Sequence, residues 1–151
     1  LQTIPSFVFI IPVVLLFTLG QVPGIIAAVL YAIVPGIRIT ALGIRQVPQE
    51  SIEASRTFGA TPRQTMFGVR IPLAAPTLMA AVNQVIMMVL AMVIIAGLVG
   101  GGALGFETVR AVTRSETGLG FEVGLAIVSM AIILDRLTQA WAARMEPPTG
   151  R

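Results

Sequence analysis

The sequence predicts an all-α fold, a polytopic bundle of membrane-spanning helices. Three observations lead there. Hydrophobic residues make up 56% of the chain and charged residues 11%, where soluble domains carry about a quarter charged. The charged residues fall into three islands, 38–70, 107–122 and 135–151, and everything between is uncharged. The uncharged runs 1–37 and 71–106 are long enough for helices of about 20 apolar residues, the length that crosses a bilayer.

The first run is interrupted by GQVPG at positions 20–24. It therefore reads as two short spans, about 4–20 and 22–38, joined by a tight turn. Pro5, Pro12, Pro23 and Pro35 start or kink these helices, which a membrane bundle tolerates where neighbours satisfy the freed backbone groups. The opening LQTIPSFVFIIPVVLLF has no basic n-region and no A-x-A site, so it is not read as a signal peptide. The chain begins at Leu1 rather than Met, and further N-terminal spans are expected to precede it.

The polar segment 39–72 comes next. Pro48, Glu50 and Glu53 open a helix: proline fits the first position and acids complement the dipole. Gly59 is a natural stop, since it takes the left-handed conformation at no cost. In Thr61-Pro62-Arg63-Gln64 the threonine caps, the proline fits the first turn and the glutamine completes a capping box. The segment reads as helix, glycine turn, helix. The alternative is an ordinary structured loop, but ordered connections this long tend to be functional.

A third span, about 74–99, follows Pro72 and is ended by GLVGGGALG. Gly100, Gly101 and Gly102 follow a membrane helix and no lysine is near, so they are not a phosphate loop; a flexible connection or close helix packing is the expectation. The last span is about 119–136, and EPPTG near the end reads as a disordered terminus. Five arginines lie in 38–70 and three in 135–151, against two arginines and three glutamates in 107–122. The positive-inside rule then puts the loop 38–70 and the C-terminus in the cytoplasm.

Composition also excludes functions. There is no cysteine and no histidine. Disulfides, the usual zinc, haem and iron–sulfur ligation, and Cys-His or Ser-His-Asp nucleophiles are ruled out within this chain. No metal site and no catalytic residue is expected. The net charge of +3 is all arginine and dispersed, which does not fit nucleic acid.

The spaced pattern Glu53-Ala54-Ser55, three residues, Gly59, nine residues, Val69-x-Ile71-Pro72 resembles the EAA loop of ABC-importer permeases. Ser55, Val69 and Ile71 stand where that family has Ala, Ile and Leu. LQTIPSFVFIIPVVLLF, GIRQVPQE, RTFGATPRQ, PLAAPTLMAAVNQ and AIILDRLTQA extend the resemblance to the permeases of glycine betaine/proline-type osmoprotectant importers over nearly the whole chain. The resemblance implies a type I importer permease fold in a bacterial or archaeal plasma membrane, working as a pair of permease copies. It implies a cytoplasmic ATP-binding subunit and an extracytoplasmic substrate-binding protein as partners. It implies inward passage of glycine betaine, proline or a related quaternary ammonium compound. Glu53, Ala54, Ser55 and Gly59, with Arg56 and Thr61 as neighbours, are then the segment that docks on the ATPase. The chain has no lysine and no Walker A pattern, so ATP binds and is hydrolysed on the partner. The alternatives are an importer of an amino acid or organic anion, and a non-transporting membrane assembly subunit. An intramembrane enzyme is disfavoured by the missing His, Cys and Lys.

Asn83 and Gln84 fall within the third span, where polar groups usually face an interior or a cavity. They are candidates for the translocation path, with interhelical hydrogen bonding as the alternative. Met79, Met87, Met88 and Met92 are read as flexible packing. With a single Trp and a single Tyr, a full aromatic cage for a quaternary ammonium is not expected, and substrate selection is placed largely in the binding protein.

Overall fold

The structure, a computed structural model, describes residues 5–145; the tail from Glu146, read above as disordered, lies outside the described residues. Helices follow one another without a strand among the described residues. They are α1 (Ser6–Phe17), α2 (Gln21–Arg45), α3 (Gln49–Thr57), α4 (Pro62–Thr65), a π-helical segment (Met66–Arg70), α5 (Ile71–Leu98), α6 (Ala103–Thr113) and α7 (Thr117–Met145). Three helical stretches are long and apolar enough to cross a membrane: Gln21–Arg45, Pro62–Leu98 and Thr117–Arg144.

The boundaries depart from the sequence expectation in four places. α1 has 12 residues, about 18 Å of helix, and is shorter than the 4–20 span. It stops where Thr18 takes φ 62° and Gly20 φ 152°, and the Gly20 N–H leaves the helix to bond the Val99 carbonyl at 2.8 Å. α2 runs on past position 38 to Arg45: no proline falls between Arg38 and Arg45, and the two arginines, two turns apart, ride on one face of the helix. α7 extends over 29 residues and includes Glu122, Asp135 and Arg136. α6 occupies a stretch read only as a loop.

The third spanning stretch is continuous through the π segment. Within it the Ile71 N–H reaches back five residues to Met66. This wide turn sits directly ahead of Pro72, whose ring would otherwise press on the carbonyl four residues back.

Glycine governs how closely the helices approach. α2 packs antiparallel on α5, the most extensive contact in the bundle. A Cβ on Gly24, Gly36 or Gly43 of α2 would run into Ala96, Val85 or Thr77 of α5 respectively. This is the small-residue seam by which membrane helices pack, since lipid removes the hydrophobic drive between them. At the C-terminal end of α5 the approach of α6 is closer still. A Cβ on Gly97 would collide with the Gly105 carbonyl, and one on Gly105 with the Val93 carbonyl, so α5 and α6 cross backbone to backbone. Of the two expectations for the glycine-rich stretch, close packing is what this crossing shows.

Two apolar clusters hold the bundle. Ile10, Ala27 and Met92 are buried together, with Val14 and Tyr31 against them; Met92 is fully buried packing. Val47, Ile52 and Ala74 form the second, backed by Ile44 and Leu78. Much of the remaining apolar surface is exposed, for example Leu15, Leu16, Ile25, Ile37 and Ile133, as expected of helices whose solvent is lipid.

Candidate functional site

The second cluster positions the polar segment. Val47 follows α2, Ile52 lies on α3 and Ala74 on α5, so the short amphipathic helix α3 is seated by Ile52 against the ends of two spanning helices. The rest of its surface is turned out: Glu53, Ala54 and Arg56 are exposed. Glu50, Glu53, Arg56 and Arg63 make no ion pair among the described residues. Four charged groups are therefore available to a partner.

α3 ends in a Schellman motif. The Ala60 N–H donates to the Ser55 carbonyl at 3.1 Å and the Gly59 N–H to the Arg56 carbonyl at 2.9 Å, with Gly59 at φ 80°. These are the two bonds by which a left-handed residue closes a helix. Across the turn Thr61 caps α4. The Thr61 N–H donates to Gln64 Oε1 at 2.8 Å and the Gln64 N–H to Thr61 Oγ1 at 3.4 Å, with Pro62 in the first turn. The helix–glycine–helix reading and its capping box are both present.

Ser55, which stands where the resembling family has Ala, is not idle. Its Oγ donates to the Ile52 carbonyl at 2.8 Å and lies 3.1 Å from Thr65 Oγ1. Since the serine proton is committed to Ile52, the contact is best made with Thr65 donating. Thr65 is buried, so this bond joins α3 to α4 at the base of the turn. Sequence reading missed two further residues. Phe58 is 91% exposed at the C-cap of α3 and Phe67 is 70% exposed on the π segment. The available signal was an aromatic directly before a turn glycine in an otherwise polar segment.

The intramembrane candidates lie elsewhere. Asn83 is half-buried on α5, and its amide spans the α5–α7 contact: Nδ2 donates to Asp135 Oδ1 at 2.9 Å, and Thr138 Oγ1 donates to Asn83 Oδ1 at 2.9 Å. Gln84 is half-buried beside it. Two apolar cavities open between α2 and α5. One of about 620 Å³ is lined by residues that include Ala32, Gly36 and Val85; the other, about 390 Å³, by residues that include Gly24, Met92 and Gly102. Neither Asn83 nor Gln84 lines them. The structure thus brings the six polar-segment residues together at one end and leaves the two intramembrane ones apart from them.

The family described as binding-protein-dependent transport system inner membrane component matches residues 1–148. The chain belongs to that family. Among curated members of similar sequence, the glycine betaine/proline betaine transport system permease protein of Escherichia coli (strain K12) is 52% identical over 140 residues, covering 93% of this chain and 40% of its own. The glycine betaine transport system permease protein of Bacillus subtilis (strain 168) is 50% identical over 139 residues, covering 92% and 49%. The chain therefore spans less than half the length of either relative. Among solved structures, a chain of the MetNI methionine ABC transporter, described in inward-facing conformations, aligns with TM-score 0.84 over 97% of this chain and 71% of its own, at 21% identity. At that identity the match establishes the importer-permease fold and nothing of the cargo.

Proposed function

We propose that this inner-membrane permease is the translocating subunit of an ATP-driven importer for a glycine betaine-type quaternary ammonium osmoprotectant. The observation that carries the proposal is the half-identity, over more than nine-tenths of the chain, to permeases named for glycine betaine in two organisms. More distant relatives are named for trimethylamine N-oxide and choline. These cargoes share a fully substituted, cationic nitrogen, and that group is the substrate class proposed here. Amino-acid or organic-anion import has no such support.

In this reading the α3–Gly59–α4 element faces the cytoplasm and docks on a separate ATP-binding subunit. Glu53, Arg56 and Arg63 supply a charged rim, and Phe58 supplies the apolar anchor. Ile52, packed with Val47 and Ala74, passes displacement of α3 directly to α2 and α5. An extracytoplasmic binding protein delivers cargo at the opposite end, and the permease acts as a pair.

The test is uptake of radiolabelled glycine betaine into proteoliposomes containing the assembled importer with its ATPase and binding protein. ATP-dependent uptake should be competed by proline betaine, carnitine and choline more strongly than by proline. Uptake competed equally by unrelated amino acids would reject the substrate class. Docking has its own expected result. Phe58→Ala removes an exposed aromatic of the kind that dominates interfaces, where truncation costs about 2 kcal/mol. Affinity for the ATPase should fall roughly thirtyfold with no loss of permease from the membrane. Unchanged affinity would remove Phe58 from the interface.

A further inference from the structure

Two stretches singled out in the sequence, PLAAPTLMAAVNQ and AIILDRLTQA, have no role in the docking element, yet their polar side chains meet at the α5–α7 contact. Asn83 Nδ2 donates to Asp135 Oδ1 at 2.9 Å, and Gln139 Nε2 donates to Asp135 Oδ2 at 2.7 Å. Each carboxylate oxygen has its own amide donor. Thr138 Oγ1 lies 2.9 Å from Asn83 Oδ1, and its single proton is shared between that acceptor and the carbonyls of Leu134 and Asp135. Both ends of the Asn83 amide are thus occupied by α7. Asn83 and Asp135 are 52 positions apart in sequence; Asn83 lies within the spanning stretch Pro62–Leu98, and Asp135 stands where the apolar part of Thr117–Arg144 gives way to its charged end.

We propose that Asn83, Asp135, Thr138 and Gln139 form a clamp between the two helices that makes α7 follow α5 through the transport cycle. α7 needs such a device. It is the least buried of the three spanning stretches, and its neighbours are α5 and α6. Where α2 meets α5 through glycines, α7 meets α5 through a charge. Both oxygens of the Asp135 carboxylate are taken by amide donors, one of them from α5, so the charge is held at the contact by specific pairing. Displacement of α3 reaches α5 through Ile52 and Ala74; the clamp carries it on to α7. The transport part of this inference rests on the importer reading above. The clamp acts through position, and none of its members is assigned contact with cargo.

The test exchanges the two groups in the assembled importer. Asn83→Asp faces one carboxyl with another, which cannot both ionise at this separation. Transport per ATP hydrolysed should fall by about tenfold, and hydrogen exchange at α7 amides should rise. Adding Asp135→Asn restores one amide facing one carboxylate with the roles reversed. The double variant should return to within about twofold of the parent in both measurements. Asp135→Asn alone should lose no more than about threefold, because an amide still accepts from Asn83 and exchanges a bond with Gln139. Loss in Asp135→Asn as deep as in Asn83→Asp, with no rescue by the exchange, would overturn the clamp and show that the charge at position 135 is itself required. Unchanged α7 exchange in Asn83→Asp would also overturn it. The exchange measurement needs no cargo. A parent complex without betaine uptake would therefore count against the substrate proposal alone, while the clamp is still decided.

Discussion

Replacing Gly59 with valine should leave the permease in the membrane at its normal level and cut transport per ATP hydrolysed by about 5- to 30-fold. Gly59 sits at φ 80°, where an L-residue costs roughly 1–2 kcal/mol and a β-branched one is a pronounced outlier. Nothing lies within 4 Å of a Cβ built there, so the whole cost is torsional. Because the turn is exposed, that cost is met by reshaping the turn and not by unfolding the bundle. The two Schellman bonds, Ala60 to Ser55 and Gly59 to Arg56, would open, and Phe58 would lose its fixed direction. The purely torsional origin gives an ordering: asparagine, which tolerates the left-handed region, should perform best, alanine next and valine worst. Paired measurements of uptake and ATPase rate on the three variants check it. Asparagine as damaging as valine would mean that a partner occupies the space beside Gly59, and the conformational account would be wrong.

The second large effect is at the α5–α6 crossing. Gly97→Ala should destabilise the bundle at or above the upper end of the roughly 1–3 kcal/mol typical of overpacking. The new methyl meets the Gly105 carbonyl and the Phe106 amide nitrogen. Both are backbone, so no rotamer change relieves the clash and the helices must separate. Gly36→Ala makes an instructive comparison, since its obstacle is the Val85 Cγ2 methyl at 2.9 Å, which can turn away. At Gly124 nothing lies within 4 Å, and alanine should be neutral or slightly stabilising through its helix propensity. Thermal unfolding of the three purified variants should rank Gly97→Ala lowest and Gly124→Ala highest. Equal midpoints for Gly97→Ala and Gly124→Ala would contradict the close crossing.

How much of this was legible in the sequence depended on whether the information was local. The capping box at Thr61 and the stop at Gly59 are chemistry within four residues, and they were readable in full. Apolar runs announced the spanning helices but not their ends: charged residues such as Arg45 and Glu122 ride on the helices instead of bounding them. The first span was overestimated because hydropathy continues through Thr18 and Leu19, while the backbone turns there. α6 was missed because ALGFETVRAVT is neither apolar enough for a span nor flanked by a strong cap. Asn83 was visible as a polar residue in a membrane helix, but its partner, 52 positions away, lies beyond any local pattern. The exposure of Phe58 and Phe67 likewise depends on what the fold leaves uncovered, which composition does not encode.

The glycine seam between α2 and α5 has a mechanical consequence. Gly24, Gly36 and Gly43 present little relief to the opposing helix, so the two can slide or scissor with few side chains forced to change rotamer, the small shear motion by which packed helices rearrange. The α5–α7 contact is instead pinned by directional hydrogen bonds. Shear along the glycine seam breaks no hydrogen bond, whereas shear between α5 and α7 must break those at Asn83. Distances between labels on α2 and α5 should therefore change through the ATPase cycle by more than those between α5 and α7.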